Sequence, residues 1–447
     1  MFINLDKKSE LSLYEQLYED IKTKILQGVL ESGSKLPSKR QLKADLNISM
    51  TTVENTYNLL IDENLIYAKE KSGYYVSTID ILKVKEKALQ EIKVHDSVKS
   101  VLPLGQVDTS IVQNDVLKKI SNQVFSDTSL LNSGNSSGEE SLKDAIRDYL
   151  YVNRGVQCRI EQIFIGPSTE YLLEQVIYLL DYPKMTLEDP GYPIVKKVLD
   201  RLKIEYDLAE VKTDGVNVDM VKEFNNAVTH ITPSHQFPSG VVMSLKNRIK
   251  LLNLVSEQNG YLIEDDYDSE FRYRGRPLSS LQGLDQNDRT IYMNTFSKSV
   301  FPSLRLAVMV LPPQLAEKYY QVGLSCNVSR QMQHIIAQFM DKGYLVRHIN
   351  RVRKHYGERM HSIVSSLERK YSSIEISGHH TGMHFVLRVP DVDVRELAKK
   401  HRIITMSDYS QKINIVDTVL VGIGSRSEEE IIEIISKFLD EVDYKKD

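Results

Sequence analysis

Tryptophan is absent from this 447-residue chain and cysteine almost so, with only Cys158 and Cys326. Two thiols cannot build a disulfide framework, so apolar burial has to hold the fold, and a reducing cytoplasm is the expected location. No apolar run approaches the ~20 residues that a membrane span requires, and no N-terminal stretch resembles a signal peptide. Repeats and low-complexity tracts are missing as well. Basic charge is not in excess, since 57 Lys and Arg face 61 Asp and Glu for a formal net charge of −4. That balance excludes a globally basic nucleic-acid coat, and any DNA contact has to come from a local patch. What the chain does have is length, enough for two domains or more with one substantial core.

The segment Thr295-Phe-Ser-Lys-Ser-Val-Phe-Pro-Ser-Leu-Arg305 sets one lysine among hydroxyl side chains and follows it, seven positions on, with an arginine. Pyridoxal phosphate needs a neutral amine to bond its aldehyde and donors around its phosphate, which a guanidinium supplies in pairs. Lys298 suits the amine, with Ser297 and Arg305 as donors. Upstream, the apolar strand Tyr261-Leu-Ile-Glu-Asp-Asp-Tyr-Asp-Ser-Glu-Phe271 runs into a cluster of carboxylates. A pyridoxal ring is an electron sink only while its nitrogen is protonated, which calls for a facing acid. Asp265 is assigned that role, and Tyr267 the ring hydroxyl. The alternative is an Asp-rich strand end that caps a helix or holds a metal, with Asp266, Asp268 and Glu270 as solvated neighbours; Lys298 decides against it, and no metal site is expected. The run Gln162-Ile-Phe-Ile-Gly-Pro-Ser-Thr-Glu170 leads from a strand into a helix N-terminus, so Ser168, Thr169 and Glu170, the last through its backbone, are candidates for the phosphate.

At the other end of the chain, Leu13, Leu17, Ile21 and Ile25 recur at helical spacing. Ser38 can cap a second short helix that points Lys39 and Arg40 outward, and Asn47-Ile48 turns the chain into a third helix opened by Ser49. Two short helices joined by a tight turn form a helix-turn-helix whose second member would lie in the major groove, with Ser49, Thr51 and Thr52 facing base edges. Residues 65–77 alternate as two strands around Lys71-Ser72-Gly73, a wing. Met50 and the acidic Glu54 lie on or beside the same face.

Three segments together, Thr232-Pro-Ser-His-Gln-Phe-Pro-Ser-Gly240, Glu264-Asp-Asp-Tyr-Asp-Ser-Glu-Phe-Arg272 and Thr295-Phe-Ser-Lys298, resemble the MocR/GabR subfamily of GntR-type transcriptional regulators. The resemblance covers nearly the whole chain. It implies an α/β fold class in which an N-terminal winged helix-turn-helix is joined to a large domain like a fold-type I, pyridoxal-phosphate-dependent aminotransferase, with a small C-terminal lobe. It carries DNA contact to Ser38, Lys39, Arg40, Lys71 and Gly73, and it stacks Tyr192 on the cofactor ring. Relatives usually have an arginine where Met50 stands. Aminotransferases usually have an asparagine where Phe237 stands, which leaves His235 and Gln236 as the nearby polar groups. The arginine expected to clamp a substrate carboxylate is replaced by Asp417-Thr418, with Arg388 and Arg426 as displaced candidates and Ile194 where some relatives have a second arginine.

The expected domains are 1–78 for the winged helix, 79–107 for a linker with some helix, and 108–447 for the effector domain. A basic stretch, residues 347–355, is expected to be a solvated helix face. The expected function is a cytoplasmic regulator that binds double-stranded operator DNA and senses pyridoxal 5'-phosphate or an amine effector through an aldimine at Lys298, as a head-to-tail homodimer. The alternative is a working amino-acid aminotransferase with an appended DNA-binding domain.

Overall fold

A computed structural model of the chain describes residues 5, 6, 9, 11–78, 100–273 and 278–444. The chain forms two compact units, Met1–Asp96 and Ser97–Asp447.

The first unit is built from α1 (Leu13–Leu26), α2 (Lys39–Leu46), α3 (Met50–Asp62), β1 (Ile66–Lys69) and β2 (Gly73–Val76). Each short helix starts on a serine. Ser38 Oγ accepts the Gln41 N–H at 3.2 Å, and Ser49 Oγ accepts the Thr52 N–H at 3.0 Å, satisfying donors that have no partner within the helix. Between α2 and α3 the chain reverses at Asn47, whose φ of 51° lies in the left-handed region that asparagine tolerates. The strands pair antiparallel, with Ile66 opposite Val76 and Lys69 opposite Gly73. Leu17, Ile21, Leu42, Val53, Tyr57 and Val76 fill one core, and the Tyr57 hydroxyl donates to Pro37 O at 2.7 Å, fixing the entry to α2.

The second unit is organised by an eight-stranded sheet of order β3-β10-β9-β8-β7-β4-β5-β6. In chain order these are β3 (Ile163–Gly166), β4 (Met185–Asp189), β5 (Tyr206–Lys212), β6 (Gly215–Val216), β7 (Val228–Ile231), β8 (Tyr261–Asp266), β9 (Thr290–Thr295) and β10 (Ala307–Val310). Strands β9, β8, β7, β4 and β5 run parallel, while β10 and β6 run antiparallel to their neighbours. Strands β7 and β10 are buried along their whole length; β10 is an uninterrupted apolar run, as burial on both faces favours, whereas β7 carries Thr229 and His230. A smaller sheet, β11 (Glu375–Ser377), β12 (His384–Arg388), β13 (Ile404–Thr405) and β14 (Thr418–Gly422), forms a C-terminal lobe in the order β11-β12-β14-β13. The 27-residue helix Tyr344–Lys370 packs on it. Among the described residues no helix is long and apolar enough to cross a membrane.

Two expectations need correction, and one alternative is removed. Of the linker, residues 79–99 lie outside the described residues, but 100–107 are part of the second unit. Leu102 is fully buried in the lobe's core, and Val101 donates its N–H to Arg402 O at 3.0 Å. The apolar pair Leu102 and Leu104 gives this piece a reason to pack that its polar flanks disguise. The alternative that left Asp266, Asp268 and Glu270 solvated falls, since all three are buried. The basic stretch is only partly a solvated face. His348 is buried, Arg353 donates to Glu270 O at 2.7 Å, and His355 approaches Asp108 at 3.5 Å.

Candidate functional site

The parallel strands β4, β7, β8 and β9 end on the same side of the sheet, where the crossover connections leave a crevice. Glu188, Thr232, Asp265 and the turn carrying Lys298 all sit at those ends. The turn is held from both sides. Thr295 Oγ1 accepts the Ser297 N–H at 3.2 Å, and Phe296, buried, donates its N–H to Leu306 O at 3.0 Å. Lys298 thus follows β9 directly, its Nζ 4.5 Å from the centre of the Tyr267 ring. Burial lowers the pKa of this amine from its ordinary value, while Asp268 and Asp265 work against the shift. A lysine with a depressed pKa is the form that condenses with an aldehyde.

Asp265 is buried, and burial pushes its carboxyl up to about 7, reinforced by Asp266 and opposed by Lys298. Its Oδ2 lies 3.8 Å from His230 Nε2, and its Oδ1 has no hydrogen-bond partner among the described residues. A buried carboxylate oxygen left open is costly unless something else fills the position, and a protonated ring nitrogen is a fitting donor. Tyr267, two residues on, brings its phenol within 3.2 Å of His235 Nδ1. Lys298, Asp265 and Tyr267 therefore meet, and the donor set fits pyridoxal phosphate. That cofactor would supply the electrophilic aldehyde and electron sink that side chains lack.

A small cavity gathers Thr169, Glu170, Tyr192, His230 and Asp265; Ser168, Ser297 and Arg305 do not line it. Ser168 caps the helix Thr169–Leu179, and its Oγ accepts the Tyr171 N–H at 3.1 Å. The Glu170 carboxylate pairs with Arg201 at 3.2 Å, which leaves its backbone to face an anion. Arg305 stands exposed at φ 48° with no hydrogen bond or ion pair among the described residues, and its charge reaches the Tyr192 phenol.

Phe237, where an amide was expected, makes an aromatic wall. Its ring packs edge-on against Tyr192 at 5.2 Å, Tyr267 at 6.0 Å and Tyr409 at 5.2 Å. Gln236 is spent on its own turn, donating to Pro190 O at 2.8 Å and accepting from Ser239. Arg388 and Arg426 are committed elsewhere. Arg388 pairs with Asp417 at 2.7 Å and Glu375 at 3.1 Å, and Arg426 donates to Val101 O at 3.0 Å.

His230 carries no role in the sequence reading, because a histidine inside a short strand shows nothing of the neighbouring strand. Burial lowers its pKa to about 4, and His384 is lowered to about 3. Both stay neutral in the folded chain while an unfolded histidine titrates near 6.5. Their stabilising contribution is therefore full above pH ~6.5 and is lost as the pH falls toward 4 and then 3. Glu188, raised to about 7 by burial, acts in the opposite sense, losing stability as the pH rises from ~4.5 through 7. His230→Asn is expected to flatten the acid limb of a stability–pH curve by up to roughly 3 kcal/mol between pH 6.5 and 4, measured by denaturation against the parent.

On the first unit, Lys39 Nζ lies 5.5 Å from the centre of the Tyr74 ring and Lys35 Nζ 5.9 Å from that of Tyr75, so two wing tyrosines hold two cations. Lys35 is an addition to the basic patch that sequence reading passed over. Lys71 is exposed at the hairpin with φ 57°, and Gly73 adopts φ 120°, a conformation suited to glycine. Ser49 Oγ and Thr52 Oγ1 bond each other at 2.8 Å, while Thr51 and Arg40 are exposed. Lys71→Ala is expected to weaken DNA binding about equally on all sequences and to reduce the salt slope of log K by about one, read from filter binding at several salt concentrations.

Comparison with known proteins agrees with both units. The profile for "Bacterial regulatory proteins, gntR family" matches residues 13–76, and that for "Aminotransferase class I and II" matches residues 101–423. The chain is 35% identical to the uncharacterized HTH-type transcriptional regulator YdeL of Bacillus subtilis over 97% of each chain. It is 30% identical to the probable rhizopine catabolism regulatory protein MocR of Rhizobium meliloti, covering 86% of this chain and 83% of that one. With the pyridoxine biosynthesis transcriptional regulator PdxR of Corynebacterium glutamicum it shares 27% over 98% of each. Among solved structures, a kynurenine aminotransferase of Pyrococcus horikoshii has a similar fold, with a TM-score of 0.69 at 20% identity over 81% of this chain and 98% of that one. The chain belongs to the gntR family of bacterial regulators, in its MocR/GabR branch, and is a DNA-binding transcriptional regulator whose class I and II aminotransferase domain takes pyridoxal phosphate as its cofactor.

Proposed function

We propose that the second unit holds pyridoxal phosphate covalently on Lys298 and senses either that vitamer or an amine that competes for it, and that the first unit carries the outcome to operator DNA. The open Oδ1 of Asp265 beside an amine of depressed pKa is the observation that carries this reading. Asp265 would face the ring nitrogen and Tyr267 the ring hydroxyl. Tyr192 would cover the ring face, and Ser168, Thr169, Glu170, Ser297 and Arg305 would surround the phosphate. Ser38, Lys39, Arg40, Lys71 and Gly73 would meet the DNA backbone, with Ser49, Thr51 and Thr52 nearest the bases. The working boundaries are 1–78 for DNA binding and 108–447 for sensing, the latter extended by the packed residues 100–107. A cytoplasmic, head-to-tail homodimer is part of the proposal.

Sensing is favoured over turnover because the two displaced candidates for the carboxylate clamp are held elsewhere, Arg388 by Asp417 and Arg426 by Val101 O. An effector must bind one domain arrangement more tightly than another to change DNA occupancy. Footprinting of the DNA upstream of its own gene, with and without pyridoxal phosphate and a panel of amines, tests it. A protected site whose occupancy responds to one of these is expected; a site indifferent to all of them overturns the sensing role.

A further inference from the structure

The site loses an amide at Phe237, and Gln236 cannot replace it, yet a second polar pair lies beside Tyr267. His235 and Asp268 are almost fully buried, with Asp268 Oδ2 2.8 Å from His235 Nδ1. An ionised carboxylate only accepts, which places the imidazole hydrogen on Nδ1. The Tyr267 oxygen lies 3.2 Å from the same nitrogen, so the phenol can accept a share of that hydrogen while keeping its own O–H to donate elsewhere. Space for the pair is built in. Gly382, at φ 73°, is backed so closely by the His235 ring and the Asp268 carboxylate that a Cβ there would overlap both, and a Cβ at Gly240, at φ 72°, would touch His235 Nε2.

Resting on the reading that Lys298 carries the cofactor, we infer that His235, oriented by Asp268, is a positioning residue for Tyr267: it turns the phenol O–H toward the ring oxygen that the missing asparagine would otherwise serve. His235 itself reaches the cofactor only through that phenol. The charged and titratable groups around the imidazole are Asp268 and Tyr267 on the segment after β8, Asp265 on β8, Lys298 after β9, and His384 on β12, whose ring centre is 4.9 Å away. A donor to the ring oxygen stabilises its deprotonated form. Loss of the donor's alignment therefore raises the pH at which the bound chromophore titrates.

The experiment is a pH titration of the visible absorbance of the full-length protein loaded with pyridoxal phosphate. His235→Leu is expected to raise the apparent pKa by about one unit, a tenfold change in proton affinity, and His235→Asn, which restores a donor near the Nδ1 position, to return most of it. Tyr267→Phe is expected to raise it at least as far, and the Tyr267→Phe, His235→Leu double variant no further than Tyr267→Phe alone. The inference is overturned if His235→Leu titrates like the parent, if the asparagine variant shifts as far as the leucine one, or if the two shifts add. Should the leucine variant not fold, His235→Ala takes its place under the same criteria. A parent protein without a visible band, or a band that survives Lys298→Ala, overturns the cofactor reading itself and this inference with it.

Discussion

Lys298→Ala is expected to give a colourless protein: with no ε-amine at the end of β9, pyridoxal phosphate has no side chain to bond at this site, and the visible band of the loaded protein disappears. The remaining donors still offer a charged cradle, so residual, dialysable binding of the vitamer is compatible with this outcome, but covalent retention is not. The amine is singled out by its setting, since burial depresses its pKa while Asp268 and Asp265 keep it from drifting arbitrarily low. Spectra and borohydride trapping followed by mass spectrometry would check it, with the trapped adduct expected on the peptide that contains Lys298. An adduct on another lysine would reject the assignment.

Arg154→Met is expected to destabilise the second unit by about 3–5 kcal/mol, because it strands a buried carboxylate. Arg154, at the C-terminal end of the helix Glu140–Arg154, donates to Asp266 at 2.6 Å and 3.2 Å and to Ser234 Oγ at 2.7 Å, and it also bonds Leu278 O. Tyr292 adds a phenol at 2.6 Å to the same carboxylate. The geometry ties together a helix end, the end of β8 and the loop after β7, immediately behind Asp265. Calorimetry of the large-domain transition should show the loss, and an Arg154→Met, Asp266→Leu double variant should recover a good part of it, since removal of both charges leaves no unpaired ion. A single variant within about 0.5 kcal/mol of the parent would mean that water reaches Asp266.

Which parts of this were readable from the chain follows from distance along it. Lys298, Asp265 and Tyr267 lie in short segments whose residue types suit one chemistry, and the serine caps of α2 and α3 act within three residues of themselves. The Arg154–Asp266 pair spans 112 residues and the His235–Asp268 pair 33, and nothing local marks either partner. Arg388 shows the converse. It looked as available as any arginine until the strand register set it beside Glu375 and Asp417. The acids after β8 admitted a solvated alternative for a related reason, because a run of carboxylates reads as a solvated turn unless the cations that neutralise it are known to be near.

The packed residues 100–104 have a mechanical consequence. Leu102 is embedded in the core of the small lobe, Val101 is bonded to Arg402 and Arg426 of that lobe, and Gly422 donates its N–H to Leu102 O at 3.4 Å. Leu104, two residues on, packs in one cluster with Phe237 of the loop after β7 and with Val386 and Leu420 of the lobe, so the segment is fastened at the seam between the lobe and the great sheet. Any tilt of the lobe therefore works on that seam, against the Phe237 ring that walls the site.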